Sequence, residues 1–296
     1  MPRTSGASFH SDYHMIDSRQ EENIVLTPGA FARLRSILNG GGSANLNLNL
    51  YKDPYIGRRI QVRMRATQAA TTEEYLDIAE RNPAEYKKLV SVLTINVTRF
   101  FRNQETFDKI NQLVIPNIIR NHYERGGRRI NVLSVGCSTG EEPYSVAILF
   151  LDHLQKTGQS RDLRVLGTDI DKRALFHALK GIYDQEKVEA IPKDILKRYF
   201  VATKKGYQIA PDVRNKVIFI KKDVFSYKMY NRFDLILARN ILIYFVRSYQ
   251  EKIVESFHRQ LVRGGFLVLG RAESLAGCTR QLFEPISVAD RIYRKI

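Results

Sequence analysis

From Arg129 onward the chain alternates between two textures. Short, almost continuous apolar runs, "RINVLSVG", "LRVLGTDID", "KVIFI", "RFDLILA" and "GGFLVLG", are separated by segments of helical periodicity. Those helical segments are "EEPYSVAILFLDHLQ", "KRALFHALK" and "SYQEKIVESFHRQLV". Strands that are apolar on both faces and alternate with helices predict a parallel sheet covered on both sides. The last stretch, "LFEPISVADRIYRKI", reads as two strands with a turn near Ala289–Asp290, so the sheet should end in an antiparallel hairpin. Residues 181–216 break the alternation. Within them "YFVAT", the turn "KKG" and "YQIA" form a hairpin pattern, and the segment is longer than an ordinary connection. A small β-subdomain inserted at about 181–216 is the expectation, and such insertions often hold substrate.

The first third of the chain has a different rhythm. Thr27 before Pro28 is an N-cap signal, and Phe31, Leu34, Ile37 and Leu38 share one helical face. After "GGGSANLNLNL" comes the basic helix "YKDPYIGRRIQVRMRA", in which Arg59 and Arg63 stand one turn apart on a common face. Thr71–Glu74 and Asn82–Glu85 are capping-box signals for two further short helices. A longer helix, "QETFDKINQLVIPNIIRNHYERGG", should be disturbed at Pro116. These patterns divide the chain into a polar tail (1–22), a small all-helical domain (23–100) and an α/β domain (101–296).

The composition narrows the class. The chain has 296 residues, 44% of them hydrophobic, enough for a sizeable core. No apolar run is long enough to span a membrane, and the N-terminus lacks the apolar stretch of a secretory signal. Two cysteines, Cys137 and Cys278, argue against a disulfide framework, and the six scattered histidines give no metal-like spacing. A cytoplasmic protein with no structural metal is expected. The net charge of +16 is spread along the chain and asks for an acidic partner, either nucleic acid or an acidic protein surface. A generally basic proteome would give the same number.

Polar residues at successive strand ends carry the candidate chemistry. "VLSVGCSTGEEPYS" follows the first strand, where Gly136 and Gly140 permit a tight turn and close approach of a ligand. It is neither GxGxxG nor a P-loop. The acidic pair Glu141–Glu142, at a helix expected to start near Glu142, would repel a pyrophosphate and welcome an ammonium or sulfonium. That favours S-adenosylmethionine over NAD or ATP. The same two acids would also simply complement the helix dipole. Asp169 ends the second strand, where an acid accepts from ribose hydroxyls, while Asp171 suits a helix cap. Asp223 and Val224 follow the third strand, where an adenine would lie, and Arg239 and Asn240 follow the fourth. The Asn/Asp-Pro-Pro-aromatic motif of amine methyltransferases is absent, and neither cysteine follows a proline as in cytosine C5 enzymes. "NVTRFFRN" (96–103) suits neither a core strand nor a solvated helix, since two arginines flank two phenylalanines. It should join the two domains, with Phe100 and Phe101 in an interdomain core.

Taken in order, "NVTRFFRN", "GCSTGEEPYS", "GTDID", "LARNILIYF" and "GGFLVLGRAESL" resemble the chemotaxis-receptor glutamate O-methyltransferase family, CheR. The resemblance covers roughly residues 24–296. It implies a Rossmann-like class I S-adenosylmethionine-dependent methyltransferase fold, with a small N-terminal all-helical domain and an inserted β-subdomain. It also implies S-adenosyl-L-methionine as donor, S-adenosyl-L-homocysteine as product, and glutamates on the helical cytoplasmic signalling domain of chemoreceptors as acceptors. By the family pattern the cofactor contacts fall on Asn96, Thr98, Arg102, Glu142, Asp169, Asp223, Val224, Arg239 and Asn240, beside Gly136 in the turn, with Tyr244 near the transferred methyl. Arg102 and Tyr244 are then the catalytic candidates, and Arg59 and Arg63 would dock a glutamate-rich helix unless they are an ordinary solvated face. The short turn in "ATKKGYQ" resembles family members that do not bind a receptor C-terminal pentapeptide. A monomer that binds no nucleic acid and enters no membrane is expected. An RNA or DNA methyltransferase, and a non-catalytic adaptor of the same fold, are the rival readings.

Overall fold

A computed structural model of the chain describes residues 26–40, 47–94, 98–127, 129–224 and 232–296. The expected tail and the candidate Asn96 lie outside the described residues. Helices α1 (Pro28–Gly40), α2 (Asp53–Thr67), α3 (Thr72–Arg81) and α4 (Pro83–Leu93) pack around Leu34, Leu38, Ile56, Ile60, Tyr75 and Leu89. Their starts follow the expected chemistry. Thr27 Oγ1 accepts from Ala30 N at 3.1 Å, Thr71 Oγ1 from Glu74 N at 3.2 Å, and Asn82 Oδ1 from Ala84 N at 2.9 Å. The reciprocal half of the second box is missing, because the Glu85 carboxylate turns inward. It takes Arg63 Nε at 2.7 Å and a second Arg63 nitrogen at 2.8 Å, and Tyr75 donates to it at 3.2 Å. Arg63 is therefore an interior strut of the helical domain and not part of a docking face. Its one-turn spacing from Arg59 fixed a shared side of the helix but not what that side meets.

Helices α5 (Gln104–Lys109) and α6 (Ile115–Glu124) are joined by a π-helical turn, Ile110–Val114, directly before Pro116. A wider turn accommodates the proline ring and its missing N–H, so the expected disturbance takes this form. The α/β domain then runs β1 (Arg129–Val135), α7 (Glu141–Lys156), β2 (Asp162–Asp169) and α8 (Lys172–Lys180). The insertion comprises β3 (Ile182–Tyr183), α9 (Gln185–Val188), α10 (Lys193–Tyr199), β4 (Phe200–Thr203), β5 (Gly206–Ile209) and α11 (Pro211–Arg214). The chain returns through β6 (Val217–Lys221), β7 (Phe233–Ala238), α12 (Arg247–Gln260), β8 (Leu261–Leu269), β9 (Phe283–Ser287) and β10 (Ile292–Lys295).

The large sheet has the order β6-β2-β1-β7-β8-β10-β9, parallel except that β10 inserts antiparallel beside β8. The terminal hairpin and the alternation of strands and helices are as expected. Three boundaries differ. Helix α7 begins at Glu141, one residue early. Leu261 and Val262 belong to β8, which runs through Gly264 and Gly265 with a register shift against β7. The small sheet has a third strand, β3, which pairs with β5 and was too short to leave a pattern. Order reverses between β1 and its neighbours β2 and β7, so their carboxyl ends open a crevice. Across it the helical domain is tied on by Lys52 N to Tyr244 O (2.9 Å) and Val246 N to Leu50 O (3.0 Å). Among the described residues no helix is long and apolar enough to cross a membrane.

Candidate active site

The crevice is built from backbone turns first. Gly136 leaves β1 with φ +64°, and a Cβ there would meet Ile241 Cδ1 at 2.9 Å. Ser138 follows in the same left-handed region, φ +50°. That turn aims its amide at the end of β2, where Ser138 N donates to Asp169 Oδ2 at 2.8 Å and Asp171 N to Oδ1 at 2.8 Å. Asp169 is buried, and burial raises its pKa against the pull of those amides. Asp171 caps α8 by accepting from Arg173 N at 2.8 Å, the plain role expected of it. A hollow beside Asp169 is lined by Ile170, Asp223, Val224, Asn240 and Ile241 on one side, and by Tyr51 and Tyr55 of the helical domain on the other. An aromatic and aliphatic slot with carboxylates at two strand ends, Asp169 and Asp223, suits a nucleoside.

The neighbouring hollow shares Gly136, Asn240 and Tyr244 with the first and adds Thr98, Arg99, Arg102, Ser138, Glu142 and Arg239. Glu142 Oε1 accepts from Ser134 Oγ at 2.8 Å, and Oε2 lies 3.4 Å from Arg239. Burial pushes the Glu142 carboxyl up and the Arg239 guanidinium down, each opposed by the other's charge. Arg239 also donates to Arg102 O at 2.6 Å and Asn103 Oδ1 at 2.9 Å. It thus holds the segment that carries Arg102 over the crevice. That segment is contorted: Phe101 and Asn103 both have positive φ, +49° and +61°. Phe101 N donates to Ser145 Oγ at 3.0 Å, and the Phe101 ring lies edge-on to Phe107. Phe100 packs edge-on against Tyr183 and Phe200 of the insertion. Both phenylalanines are therefore anchored in the α/β core and not between the domains. Three buried polar atoms around this hollow, Ser138 Oγ, Arg239 Nε and Asn240 Oδ1, have no hydrogen-bond partner. Unsatisfied groups clustered at a hollow are what a polar ligand would complete.

The loop after β7 forms the remaining wall. Asn240 is left-handed, φ +58°, and Tyr244 lies 4.8 Å, ring to ring, from Tyr55. Burial raises the Tyr244 pKa, so its hydroxyl stays protonated. The loop is held by a residue that sequence reasoning left without a role. Glu273 is buried and accepts from Gly270 N (2.6 Å), Asn240 N (2.9 Å) and Ile243 N (3.2 Å). The one signal was its place in "GRAESL": Gly270 must be glycine, since a Cβ would come within 2.7 Å of Glu273 Oε2 and 2.8 Å of Asn240 N. Tyr51, Tyr55 and Ser138 were also missed, because only the fold brings them to the crevice. Arg59 stands over the Tyr55 ring at 5.5 Å, and its charge is felt by Tyr244, so it belongs to the rim. Of the candidate residues with described coordinates, Arg63 alone lies apart from the site.

A parallel sheet with an inserted antiparallel last strand, its central strands opening a crevice at their carboxyl ends, is the fold of a class I S-adenosylmethionine-dependent methyltransferase. Residues 96–292 match the model for the CheR methyltransferase SAM-binding domain, and residues 30–94 match that for the CheR methyltransferase all-alpha domain. The chain belongs to the CheR methyltransferase family. It is 31% identical to a chemotaxis protein methyltransferase of Listeria innocua, covering 78% of this chain and 85% of that one. It is 30% identical to chemotaxis protein methyltransferase 2 of Vibrio cholerae, covering 86% and 88%. It is also 30% identical to an uncharacterised 104.1 kDa protein of Rhodobacter capsulatus, covering 90% of this chain but only 28% of that longer one.

Proposed function

We propose that the chain is a protein-glutamate O-methyltransferase that esterifies side-chain carboxylates on the helical signalling domain of chemoreceptors. The observation that carries this reading is the composition of the hollow in front of Asn240. Among the described residues it is lined by Thr98, Arg99, Arg102, Asn103 and Arg271, three cations and no histidine, lysine or carboxylate. An amine or hydroxyl acceptor must lose a proton and needs a base there. A glutamate, with a reference pKa near 4.3, is already ionised at neutral pH and needs only to be attracted and aimed.

The bound donor supplies an electrophilic methyl on a sulfonium and leaves as S-adenosyl-L-homocysteine. The remaining work belongs to the chain. Asp169 would hold the ribose, and Asp223 and Val224 would border the adenine. Glu142 would take the ammonium, with Ser134 and Arg239 fixing its position. Thr98 and Arg102 would hold a carboxylate, the donor's or the acceptor's, by charge-assisted hydrogen bonds. Asn240 and Tyr244 would bound the place where the acceptor oxygen meets the methyl carbon in line. Asn96 would join the donor's contacts. The domain division at residue 100, with the insertion at about 181–216, is part of the same reading. So are a cytoplasmic monomer that binds no nucleic acid and independence from a receptor pentapeptide. The last is supported by the two-residue turn, Lys204–Lys205, between β4 and β5.

The test is transfer from methyl-labelled S-adenosylmethionine to receptor-containing membranes, with bulk tRNA in parallel. Label on receptor that alkali releases as methanol is the expected result. Label on tRNA, or alkali-stable label on protein, contradicts it, and absence of any transfer favours the adaptor.

A further inference from the structure

Arg63, one of the two α2 cations expected to dock an acidic helix, is spent on Glu85. A better candidate lies at the mouth of the crevice. The hollow in front of Asn240, about 440 Å³, meets a second of about 340 Å³ at Ala272, which lines both. The second hollow is outside the donor crevice. Lys52, Arg247 and Arg280 border it, and Leu242, Ile243, Leu275 and Ala276 form an apolar floor. Among the described residues Glu273 is the one acid lining either hollow, and its oxygens are already turned to the backbone amides of Gly270, Asn240 and Ile243. Of the trough's cations, Arg271 is paired with Glu105 (3.2 Å) and Asp290 (3.1 Å), and Arg247 with Glu251 (3.5 Å), so its positive character at the second hollow rests mainly on Lys52 and Arg280.

Its parts are held in register with the reacting position. Lys52 comes from the helical domain, but its amide is bonded to Tyr244 O. The floor residues Leu242 and Ile243 belong to the loop that Glu273 fixes. We infer that this trough is the seat of an acidic amphipathic helix: the helix carrying the acceptor glutamate crosses Ala272, with carboxylates one and two turns along it meeting Lys52 and Arg280. The inference deepens the proposed function and rests on it. A helix is the form that fits, because residues three, four and seven apart share a face. One such face can set an acceptor carboxylate at Asn240 and further carboxylates at the second hollow, with apolar residues against the floor between them. Opposite charge across an interface steers encounter and fixes register.

The probe is a fluorescently labelled, helix-stabilised peptide with glutamates at i, i+4 and i+7, its Gln-substituted twin as control, and binding read by anisotropy. The Lys52→Ala/Arg280→Ala variant should bind the Glu peptide about tenfold more weakly, the scale of two exposed ion pairs lost. Its affinity for S-adenosylhomocysteine should be unchanged, which also certifies its fold. The Arg58→Ala/Arg65→Ala variant, which removes exposed charge elsewhere on α2, should bind within about twofold of wild type. Equal losses in the two variants, undiminished binding in the first, or equal binding of the Glu and Gln peptides would overturn the trough. So would displacement of the peptide by tRNA together with tRNA binding that fails only in the first variant. A failure of the methyltransferase reading looks different: the Glu peptide binds as stated, but receptor acquires no alkali-labile label.

Discussion

Two buried arginine–carboxylate pairs, one in each domain, look alike in sequence and do opposite things. In the helical domain Glu85 takes two nitrogens of Arg63 at 2.7 and 2.8 Å and a tyrosine hydroxyl besides. Its hydrogen-bonding capacity is filled from within the domain. In the crevice Glu142 and Arg239 approach only to 3.4 Å, Arg239 Nε has no partner, and Ser138 and Asn240 nearby carry further unpartnered atoms. A buried charge costs free energy unless it is fully paired. The first pair is met from within its domain, so removing either partner destabilises the fold. The second leaves part of that cost unmet, and on the proposed function the donor would complete it. Saturation, more than burial or charge, separates architecture from site here.

The sharpest way to break the comparison is to remove one arginine from the filled pair. Arg63→Met leaves Glu85 buried and unpaired and should lower unfolding free energy by about 4 kcal/mol. Urea denaturation reads this, and cofactor affinity of the folded fraction should hold. Next is Glu142→Gln, which keeps the shape and removes the charge. Hydrogen bonds to charged groups contribute about 2 kcal/mol, so affinity for S-adenosylhomocysteine should fall about thirtyfold, with a smaller loss of stability than Arg63→Met. A thermal shift as large as that of Arg63→Met would erase the distinction.

A third carboxylate, Glu273, is saturated by backbone amides yet sits beside the crevice. Glu273→Gln sets an amide NH2 against a backbone N–H, so the Asn240–Tyr244 loop should loosen. About tenfold should be lost from kcat, the scale of one mispositioned group, and less from cofactor affinity. Loss confined to stability would make Glu273 a strut like Arg63. The smallest effect concerns a pair whose charge depends on pH. His122 Nε2 lies 3.0 Å from Asp234 Oδ1, and that bond raises the His122 pKa above 6.5. A pKa raised by folding gives stability that is full below the unfolded value and lost as pH rises through the folded one. Melting temperature should therefore decline across neutral pH in wild type, and His122→Gln should flatten the slope. An unchanged slope would show that His122 does not titrate across this window with a pKa raised by folding.

These contrasts also explain what could be read from the chain alone. Strands β1, β2 and β7 were legible because a sheet covered on both faces leaves unbroken apolar runs, and with them the placing of Asp169 at the end of β2; β6 keeps such a run at the sheet edge, although Ile218 and Ile220 are exposed there. Arg63 was misjudged because periodicity reports which residues share a side of a helix, and its partner Glu85 sits two helices away. Glu273 left little trace because its partners are backbone amides, which any sequence supplies. Phe100 and Phe101 were assigned to the wrong core. Two non-glycine residues in left-handed conformations turn that segment back onto the α/β domain, and composition does not announce them.

The most direct test of the account is calorimetric titration of S-adenosylhomocysteine into wild type, Arg63→Met and Glu142→Gln under conditions where all three are folded. The account predicts that Arg63→Met binds within about twofold of wild type, while Glu142→Gln is weakened about thirtyfold. Equal affinity in the two variants, or the larger loss in Arg63→Met, would contradict it.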